Sequence, residues 1–507
     1  MRRLVLGLLL TAHFSPLTGV AAQPAPLRPL DAYVTRALPA WEAPGLAIAV
    51  VKDGAMIYAN GWGVRELGKP DRVDGNTIFA VGSTTKAFTS ALLGMLVDEG
   101  KVGWDDPVTK HLPGFQLYDP YVTREITVRD LLTHRSGLSR GDRLWAASGL
   151  GRDEILRRER FLKPSWSFRS QYGYQNVMFL AAGELAGRVI GMSWDDAVRQ
   201  RIFEPLGMAR TRTSVVPLAG MENVATPHER IEDQVTPVEW MNIDNIGPAG
   251  SINSSVSEMA QWVRLQLGQG TYGGRKLIEP KTVREMHTLQ MHQRPSETDD
   301  SLFAAESHLM GYGLAWSLRD YRGYKLVSHG GAIRGMRAQV SMIPEKGIGV
   351  VVLTNVAESS LPTAMAYKVL DLMLGAAAKD WSALYLAETR KARARAAEER
   401  QKTVAARVPN TTPSLSLDKY AGTYADSLYG PITVTQENGA LVARFGPHYT
   451  GDLTHWHFNT FEVVWRNPVF GRSAWTFTLD PRGQVNALDV PSLATFGRAP
   501  AANQGSR

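Results

Sequence analysis

The order of the hydrophobic patterns along the chain is the sequence feature that most constrains its fold. Residues 46–51 and 55–61 predict two strands around the turn Asp53-Gly54. The segments that follow have helical periodicity. Four apolar or alternating runs then stand late in the chain, at residues 312–318, 325–328, 338–343 and 348–353. We therefore expect an α+β fold, in which one antiparallel sheet takes strands from both ends of this region and is flanked by helices.

A different pattern begins after Pro409 and predicts a separate domain. Short alternating runs separated by turn residues stand at 432–435, 441–445, 461–465 and 475–479. We assign residues 413–500 to a small all-β, barrel-like domain. Residues 379–412 are rich in Ala, Glu, Arg and Lys, which predicts a basic helical linker. The main domain is then residues 23–378.

Residues 1–22 have the features of a cleaved secretory signal. Arg2 and Arg3 precede an apolar stretch, and small residues stand just before Gln23. A buried N-terminal helix and a membrane anchor are the alternatives. No later segment approaches the roughly 18 unbroken apolar residues of a membrane span. Since the chain has no cysteine, disulfides, thiolate metal sites and a cysteine nucleophile are excluded. We expect a bacterial periplasmic or secreted protein with no stable membrane span.

The excess of positive charge is local. The net charge is +7, of which Arg2 and Arg3 contribute two and residues 390–407 contribute a net five. Nucleic-acid binding would need a basic face on a folded domain, so we predict no nucleic-acid partner. The basic run is interpreted as a solvated helix, with contact to a membrane or a polyanion as the alternative.

Ser83 and Lys86 form the first candidate site, at the start of a helix predicted over residues 83–99. Residues three apart lie on one helix face, so the amine can reach the hydroxyl. A serine needs such a base to act as a nucleophile, and burial against an apolar helix would lower the pKa of the lysine. The first helical turn also offers free N–H groups to an oxyanion. The same spacing in Ser416 and Lys419 precedes no apolar helix and is interpreted as chance.

Two other short motifs carry groups suited to acyl transfer. Tyr174 can relay a proton, and Asn176 can both donate to and accept from a substrate amide. His329-Gly330-Gly331 follows an apolar run, and we predict that it starts a turn between strands. Its two glycines would let a ligand approach the backbone of an edge strand. The alternative is a simple turn with a surface histidine.

A rival nucleophile is Ser139, because residues 137–141 match the nucleophile elbow of α/β-hydrolases. That elbow needs a strand before it and a helix after it, whereas residues 128–132 predict a helix. His455-Trp456-His457 is interpreted as a strand with aromatic packing rather than a metal site. We find no phosphate-binding glycine loop. We predict neither a metal nor a cofactor.

Taken in order, the three candidate elements resemble the penicillin-recognising serine hydrolases, most closely the class C β-lactamase-like family. That family includes D,D-carboxypeptidases, D-aminopeptidases and esterases. The resemblance covers about residues 30–375 and implies a β-lactamase-like antiparallel sheet flanked by helices, with an all-helical subdomain. Residues 415–500 resemble the lipocalin-like β domain of some members. Three further segments are similar to the family's: Leu-Leu-Thr-His-Arg-Ser-Gly-Leu at 131–138, Pro-Ala-Gly-Ser-Ile at 248–252 and Tyr-Gly-Leu-Ala-Trp at 312–316.

The resemblance also implies a role for each candidate residue. Ser83 would be the nucleophile, Lys86 its activating base, and Tyr174 the relay that protonates the leaving group. Which of Lys86 and Tyr174 is the acylation base stays open. The backbone N–H groups of Ser83 and Ala332 would form the oxyanion hole. The residues implied to bind substrate are Asn176, His329, Gly330, Gly331 and Ala332.

One departure from the family concerns substrate charge. Class C β-lactamases have Lys-Thr-Gly where this chain has His329-Gly330-Gly331. A lysine there is a permanent cation for a substrate carboxylate, whereas a histidine is mostly neutral at pH 7. Histidine at this place is similar to the peptidase, aminopeptidase and esterase branches. Arg334 and Arg337 either supply the missing charge or are ordinary strand-edge residues.

We therefore expect an exported serine hydrolase that cleaves amide or ester bonds through an acyl-enzyme on Ser83. Its expected substrates are small peptides or amides with D-residues, then esters, then β-lactams. The alternatives are a β-lactamase or penicillin-binding protein, a cell-wall sensor that is acylated without turnover, and an esterase that uses Ser139. The C-terminal domain would be a lid, a module that makes a homo-oligomer, or a passive appendage.

Overall fold

The computed structural model describes residues 23–303, 305–357 and 359–500. The predicted signal sequence, residues 1–22, lies outside the described residues. The α-helices are α1 Leu30–Ala40, α2 Thr85–Asp98, α3 Val108–His111, α4 Pro120–Glu125, α5 Val128–Leu131, α6 Arg152–Arg158, α7 Val177–Ile190, α8 Trp194–Val198, α9 Glu204–Leu206, α10 Gly247–Gly250, α11 Val256–Leu267, α12 Pro280–Met286, α13 Glu297–Phe303, α14 Leu361–Leu374 and α15 Trp381–Ala405.

The strands of the main domain form one large sheet and three short hairpins or pairs. The large sheet is antiparallel, with the order β2-β1-β14-β13-β12-β11-β10-β9. The short pairs are β3 with β6, β4 with β5 and β7 with β8. The strands of the main domain are β1 Gly45–Lys52, β2 Ala55–Gly63, β3 Phe79–Ala80, β4 His228–Ile231, β5 Gln234–Pro237, β6 Asn253–Ser254, β7 Thr271–Tyr272, β8 Arg275–Lys276, β9 Met291–His292, β10 Met310–Tyr312, β11 Ser317–Tyr321, β12 Tyr324–Ile333, β13 Met336–Ile343 and β14 Ile348–Thr354.

The pairing of β1 with β14 confirms the predicted sheet built from both ends of the domain. Leu46 pairs with Thr354, and Lys52 pairs with Ile348. Side chains alternate along β1, so both of its faces are buried. Leu46, Ile48 and Val50 pack with α1 and α14, while the residues between them pack with α2, α7 and α11. The sheet is therefore the middle layer between two groups of helices, and the expected fold class is confirmed.

Two predictions about the late strands are wrong. Residues 312–318 were expected to form one strand, but β10 ends at Tyr312 and β11 begins at Ser317. Ala315 between them has φ of +68°, and its N–H donates to the carbonyl of Leu132 at 3.1 Å. The motif His329-Gly330-Gly331 does not start a turn either. It lies within β12, where it pairs with residues 338–340 of β13, because the register of the sheet continues through both glycines.

The C-terminal strands form a closed antiparallel barrel in which chain neighbours pair and the last strand returns to the first. Its core holds aromatic rings such as Tyr424, Phe461 and Trp475. The predicted basic helix is α15, buried at Trp381 where it packs on α14 and exposed along most of its later length. The barrel strands are β15 Gly422–Asp426, β16 Gly430–Glu437, β17 Ala440–Phe445, β18 Tyr449–His457, β19 Thr460–Trp465, β20 Arg472–Leu479, β21 Val485–Val490 and β22 Ala494–Arg498.

One bent pair of helices in the described part of the chain has the length and apolar composition of a membrane span. Among the residues that the structure describes, no single helix has the length and apolar composition to cross a membrane. By those two criteria α7 qualifies only together with Trp194–Leu206, from which it is bent by 78°.

Candidate active site

Ser83 lies in a 3₁₀ turn, Gly82–Thr84, that continues directly into α2. The turn packs against β12 so closely that it requires a glycine. A Cβ at Gly82, whose φ is +52°, would stand 2.7 Å from the backbone nitrogen of Ala332. Gly331 is equally constrained, since a Cβ there would overlap the carbonyl oxygen of Val81. These two glycines bring the Ser83 turn beside the backbone of Ala332.

Lys86 is the buried partner of Ser83. Its side chain is fully buried, and its Nζ lies 3.1 Å from Ser83 Oγ. The amine also donates to Asn176 Oδ1 at 2.7 Å and to the carbonyl of Ala249 at 2.8 Å. Burial lowers the pKa of Lys86 well below its usual value, against a smaller raising effect of Asp142. The lowering expected from the sequence is confirmed, and a neutral amine can accept the Ser83 proton.

Tyr174 contacts the same hydroxyl. Its phenol is hydrogen-bonded to Ser83, and burial raises its pKa to about 12. The Lys86 Nζ lies 4.9 Å from the centre of the Tyr174 ring. The phenol therefore carries its proton at neutral pH, so it can pass one proton on only as it receives another.

Asn176 connects Lys86 to an acidic residue that the sequence reasoning missed. While its Oδ1 accepts from Lys86, its Nδ2 donates to Asp142 Oδ1 at 2.8 Å. Asp142 also accepts from Arg140 at 2.6 Å and from the Trp145 indole at 3.0 Å. Both polar atoms of the Asn176 side chain are thus engaged within the site. Asp142 begins the short 3₁₀ turn Asp142–Leu144 and belongs to no periodic pattern, so no local pattern could have identified it.

His329 lies at the edge of the site as a buried, neutral ring. Its Nε2 is 2.9 Å from the Tyr312 phenol oxygen, and its Nδ1 is 2.6 Å from the carbonyl of Gly330. Burial, together with the nearby Lys86, lowers the pKa of His329 to about 3. The third motif therefore supplies no positive charge at neutral pH.

A second buried histidine, His134, supports the Tyr174 turn. Its ring centre is 4.1 Å from that of Tyr174, and its Nδ1 accepts from the backbone N–H of Gln175 at 3.1 Å. Burial, then the charge of Lys86, lowers the pKa of His134 well below its usual value. In the sequence, His134 is recognisable only as one residue of a family-like segment, because its role depends on a contact between distant loops.

The site opens into a cleft of about 480 Å³. Pairing of β11 with β12 ends at Ser317 and Ser328, so residues 329–333 of β12 extend beyond β11 and line the cleft with Ser83 and Tyr174. Of the two arginines considered, Arg337 lines the cleft, whereas the guanidinium of Arg334 lies 4.9 Å from the Phe470 ring of the barrel. The described residues that form the side walls include Arg140, Trp145, Tyr172, Ile243, Ile246 and Gln339.

The rival serines lie in different settings. Ser139 has the helix α5 before it and a 3₁₀ turn, Asp142–Leu144, after it. It therefore lacks the strand–turn–helix context of a nucleophile elbow. Ser416 precedes a short 3₁₀ turn, and the amine of Lys419 pairs with Asp418 at 3.1 Å. Within the described part of the chain, no group of three or more His, Asp or Glu side chains is placed to hold a metal ion.

Comparison with protein families divides the chain into two matched regions. The family model described as Beta-lactamase matches residues 30–373. The model described as Domain of unknown function (DUF3471) matches residues 406–502.

Individual relatives extend the similarity over almost the whole chain. The unguisins hydrolase ungD of Aspergillus violaceofuscus is 31% identical, over 92% of this chain and 88% of its own length. Penicillin-binding protein 4 of Amycolatopsis lactamdurans is 28% identical, over 62% of this chain and 81% of its own. The octameric penicillin-binding protein homologue from Pyrococcus abyssi has a similar fold, with a TM-score of 0.62 and 22% identity over 92% of this chain and 99% of that one.

Proposed function

The chain belongs to the Beta-lactamase family of serine hydrolases, and from this premise we propose that it cleaves amide or ester bonds through a covalent acyl-enzyme on Ser83. One observation carries the proposal. The Ser83 hydroxyl is hydrogen-bonded to both a buried amine and a half-buried phenol, in an open cleft. That arrangement supplies a nucleophile, a base and a proton relay in one place.

The acylation step follows from these contacts. Neutral Lys86 takes the proton of Ser83 as Oγ bonds to the carbonyl carbon of the substrate. The resulting oxyanion is stabilised by the backbone N–H groups of Ser83 and Ala332; one such donor is typically worth about 3–4 kcal/mol. Tyr174 gives its proton to the leaving nitrogen or oxygen and receives the one held by Lys86. The bond to the leaving group then breaks, and the acyl group remains on Ser83.

Deacylation reverses the proton movements with water as the nucleophile. Lys86 takes a proton from water, relayed through Tyr174, as the water oxygen bonds to the acyl carbon. The bond to Ser83 Oγ breaks, and that proton returns to the serine. Asn176 holds Lys86 in place and faces the cleft, where its amide stands beside the substrate amide.

The proposed substrates are small peptides or amides that contain D-residues, with esters next and β-lactams third. The neutral His329 supports this order, because it cannot pair with a substrate carboxylate as a lysine would. Relatives named a hydrolase of unguisins and a penicillin-binding protein support hydrolysis as the reaction. We place the enzyme in the periplasm or outside the cell, on the signal-like pattern of residues 1–22.

Labelling tests the nucleophile. A fluorophosphonate probe and a fluorescent penicillin are incubated with the wild type and with Ser83→Ala. Ser139→Ala and Ser416→Ala serve as matched controls, since each removes one other serine hydroxyl. Labelling lost only in Ser83→Ala supports the proposal, and labelling that survives in Ser83→Ala overturns it.

Turnover tests the substrate order and the sensor alternative. D- and L-aminoacyl nitroanilides, nitrophenyl esters and a chromogenic cephalosporin are compared by kcat/KM. Sustained release over many turnovers, greatest for a D-aminoacyl amide, is expected. A single stoichiometric burst on every substrate would instead favour an acylated sensor.

Assembly into a homo-oligomer is part of the proposal. The Pyrococcus abyssi homologue of similar fold is octameric, which supports self-association of this chain, with the barrel as the contacting domain. Light scattering on the full protein gives the mass directly. A mass equal to one protomer at micromolar concentration would reject this part of the proposal.

A further inference from the structure

The barrel is docked on the main domain through a close interface. Leu428 of the barrel is buried in the hydrophobic core of the main domain. Gly149 and Gly446 lie where the two backbones meet, and a Cβ on Gly149 would stand 2.8 Å from Pro447. A Cβ on Gly446 would stand 3.1 Å from the carbonyl oxygen of Ser148. Contacts this close favour one fixed orientation of the barrel.

Two arginines of the main domain contact one pair of aromatic rings in the barrel. The rings of Tyr449 and Phe470 are 4.0 Å apart at 35°. The guanidinium of Arg143 lies 5.1 Å from the Tyr449 ring and is hydrogen-bonded to its phenol. The guanidinium of Arg334 lies 4.9 Å from the Phe470 ring. We call these four residues the clamp. Both arginines lie within the ordinary range of a cation–π interaction.

Each arginine directly follows a residue that lines the active-site cleft, and we call the two chain segments that carry them the rims of the cleft. Arg143 directly follows Asp142, whose carboxylate orients Asn176 and, through it, Lys86. Arg334 directly follows Ile333, the last residue of β12, which lines the cleft one position beyond Ala332. One rim therefore carries the support of the base and the other carries the oxyanion donor. The described residues that line the cleft all lie between Ser83 and Thr363, so the barrel acts on the rims from outside.

We propose that the clamp fixes the distance between the two rims, and that Arg143, Arg334, Tyr449 and Phe470 are positioning residues for the hydrolytic reaction. This inference rests on the proposed function of Ser83. If a rim is released, Asp142 and Ala332 no longer hold a constant separation. A misplacement of about 1 Å in such a site costs on the order of 100-fold in rate. Substrate binding to the walls changes little, so the loss falls on kcat rather than KM.

The test replaces the arginines, because Tyr449 and Phe470 belong to the packed core of the barrel and the arginines do not. Arg143→Gln and Arg334→Gln are each expected to lower kcat by about 10-fold with KM within about two-fold. Arg143→Lys keeps a cation over the ring and is expected to recover most of the loss. Arg482→Gln is the matched control, since Arg482 is an exposed arginine in the turn between β20 and β21 of the barrel, where it pairs with Asp480.

The pH profile of kcat/KM separates positioning from general destabilisation. Lys86 is faced by Asp142, Arg140, Tyr174 and the neutral His134 and His329. Of these, Asp142 raises the pKa of Lys86. Withdrawal of Asp142 in Arg143→Gln is therefore expected to move the acid limb of the profile to lower pH. A structural loss alone would lower the profile without moving it.

Two measurements keep the clamp distinguishable from the proposed function. Amide hydrogen exchange at residues 140–150 and 330–337 needs no turnover, and it is expected to accelerate in both Gln variants but not in Arg482→Gln. Unchanged exchange, or kcat within two-fold of the wild type in both Gln variants, overturns the clamp. A wild type that shows no labelling of Ser83 overturns the proposed function, while the exchange data still decide the clamp.

Discussion

A single methyl group at Gly82 is predicted to disable the enzyme while leaving it folded. In Gly82→Ala the added Cβ would stand 2.7 Å from the Ala332 nitrogen, whereas ordinary contact begins at 3.4 Å. The Ser83 turn must therefore retreat from β12 by about 0.7 Å. That movement separates the two backbone N–H groups that would bind the oxyanion. A displacement of this size, or loss of one such donor, costs about 100-fold in rate.

The same substitution also has a cost that is unrelated to catalysis. Gly82 has φ of +52°, and an alanine in the left-handed region loses roughly 1–2 kcal/mol. Gly191→Ala is a matched control for this term, because Gly191 has φ of +71° and nothing lies within 4 Å of its added Cβ. Gly191 ends α7 as its C-terminal cap, so the control tests strain without touching the cleft.

The assay is pre-steady-state acylation with a nitrophenyl ester, combined with thermal unfolding. Gly82→Ala is expected to acylate about 100-fold more slowly than Gly191→Ala, with KM changed less than about three-fold. Both variants are expected to unfold at lower temperature than the wild type. If Gly82→Ala acylates as fast as Gly191→Ala, the close packing of Ser83 on β12 does not position the oxyanion site, and the reasoning fails.

Three further predictions concern charge in the site. Asp142→Asn removes the carboxylate that raises the pKa of Lys86, so the acid limb of kcat/KM against pH should move to lower pH. Asp452→Asn on the barrel surface is the control. A move of the acid limb to higher pH would contradict the assignment of Lys86 as the base. Lys86→Met should abolish turnover while raising the free energy of unfolding at pH 7 by about 1 kcal/mol or more, since the buried lysine must give up its proton when the chain folds. Because the folded pKa of Lys86 is lowered, the stability of the wild type should rise relative to that of this variant as pH rises from 7 towards 10. A stability difference in urea denaturation that stays constant with pH would refute this. Arg337→Gln should lower kcat/KM about 10-fold for substrates with a free carboxylate. An equal loss of kcat/KM on neutral esters would show that Arg337 does not bind the substrate carboxylate.

The sheet and the Ser83 helix were predictable because their signals are local. The residues of β1 alternate between two buried faces, and α2 repeats its apolar residues at helical spacing. The interruption between β10 and β11 was not predictable, because its residues are as apolar as a strand. It depends on a hydrogen bond from Ala315 to Leu132, a contact between segments far apart in the sequence. An apolar run alone does not distinguish a strand from a buried turn.

In the candidate site, too, contacts within one helix were predictable and contacts between distant segments were not. Ser83 and Lys86 are within one helical turn of each other, so their contact follows from spacing. Asp142 and His134 act through loops that the fold brings to Asn176 and Gln175. Neither loop has a periodicity from which its position could be derived. The sequence thus indicated the groups that we propose to react, while the groups that hold them in place required the structure.

Arg334 and Arg337, which follow β12 in the chain, have different surroundings, and this difference bears on the preference for substrate charge. With His329 neutral, positive charge beside the substrate must come from another residue. Arg334 lies against Phe470 of the barrel and does not line the cleft. Arg337 remains on the cleft wall. Because Arg334 contacts the barrel and not the cleft, Arg334→Gln should leave the preference for substrate charge unchanged while it lowers kcat. A shift in preference away from carboxylates in that variant would show that Arg334 reads the substrate directly.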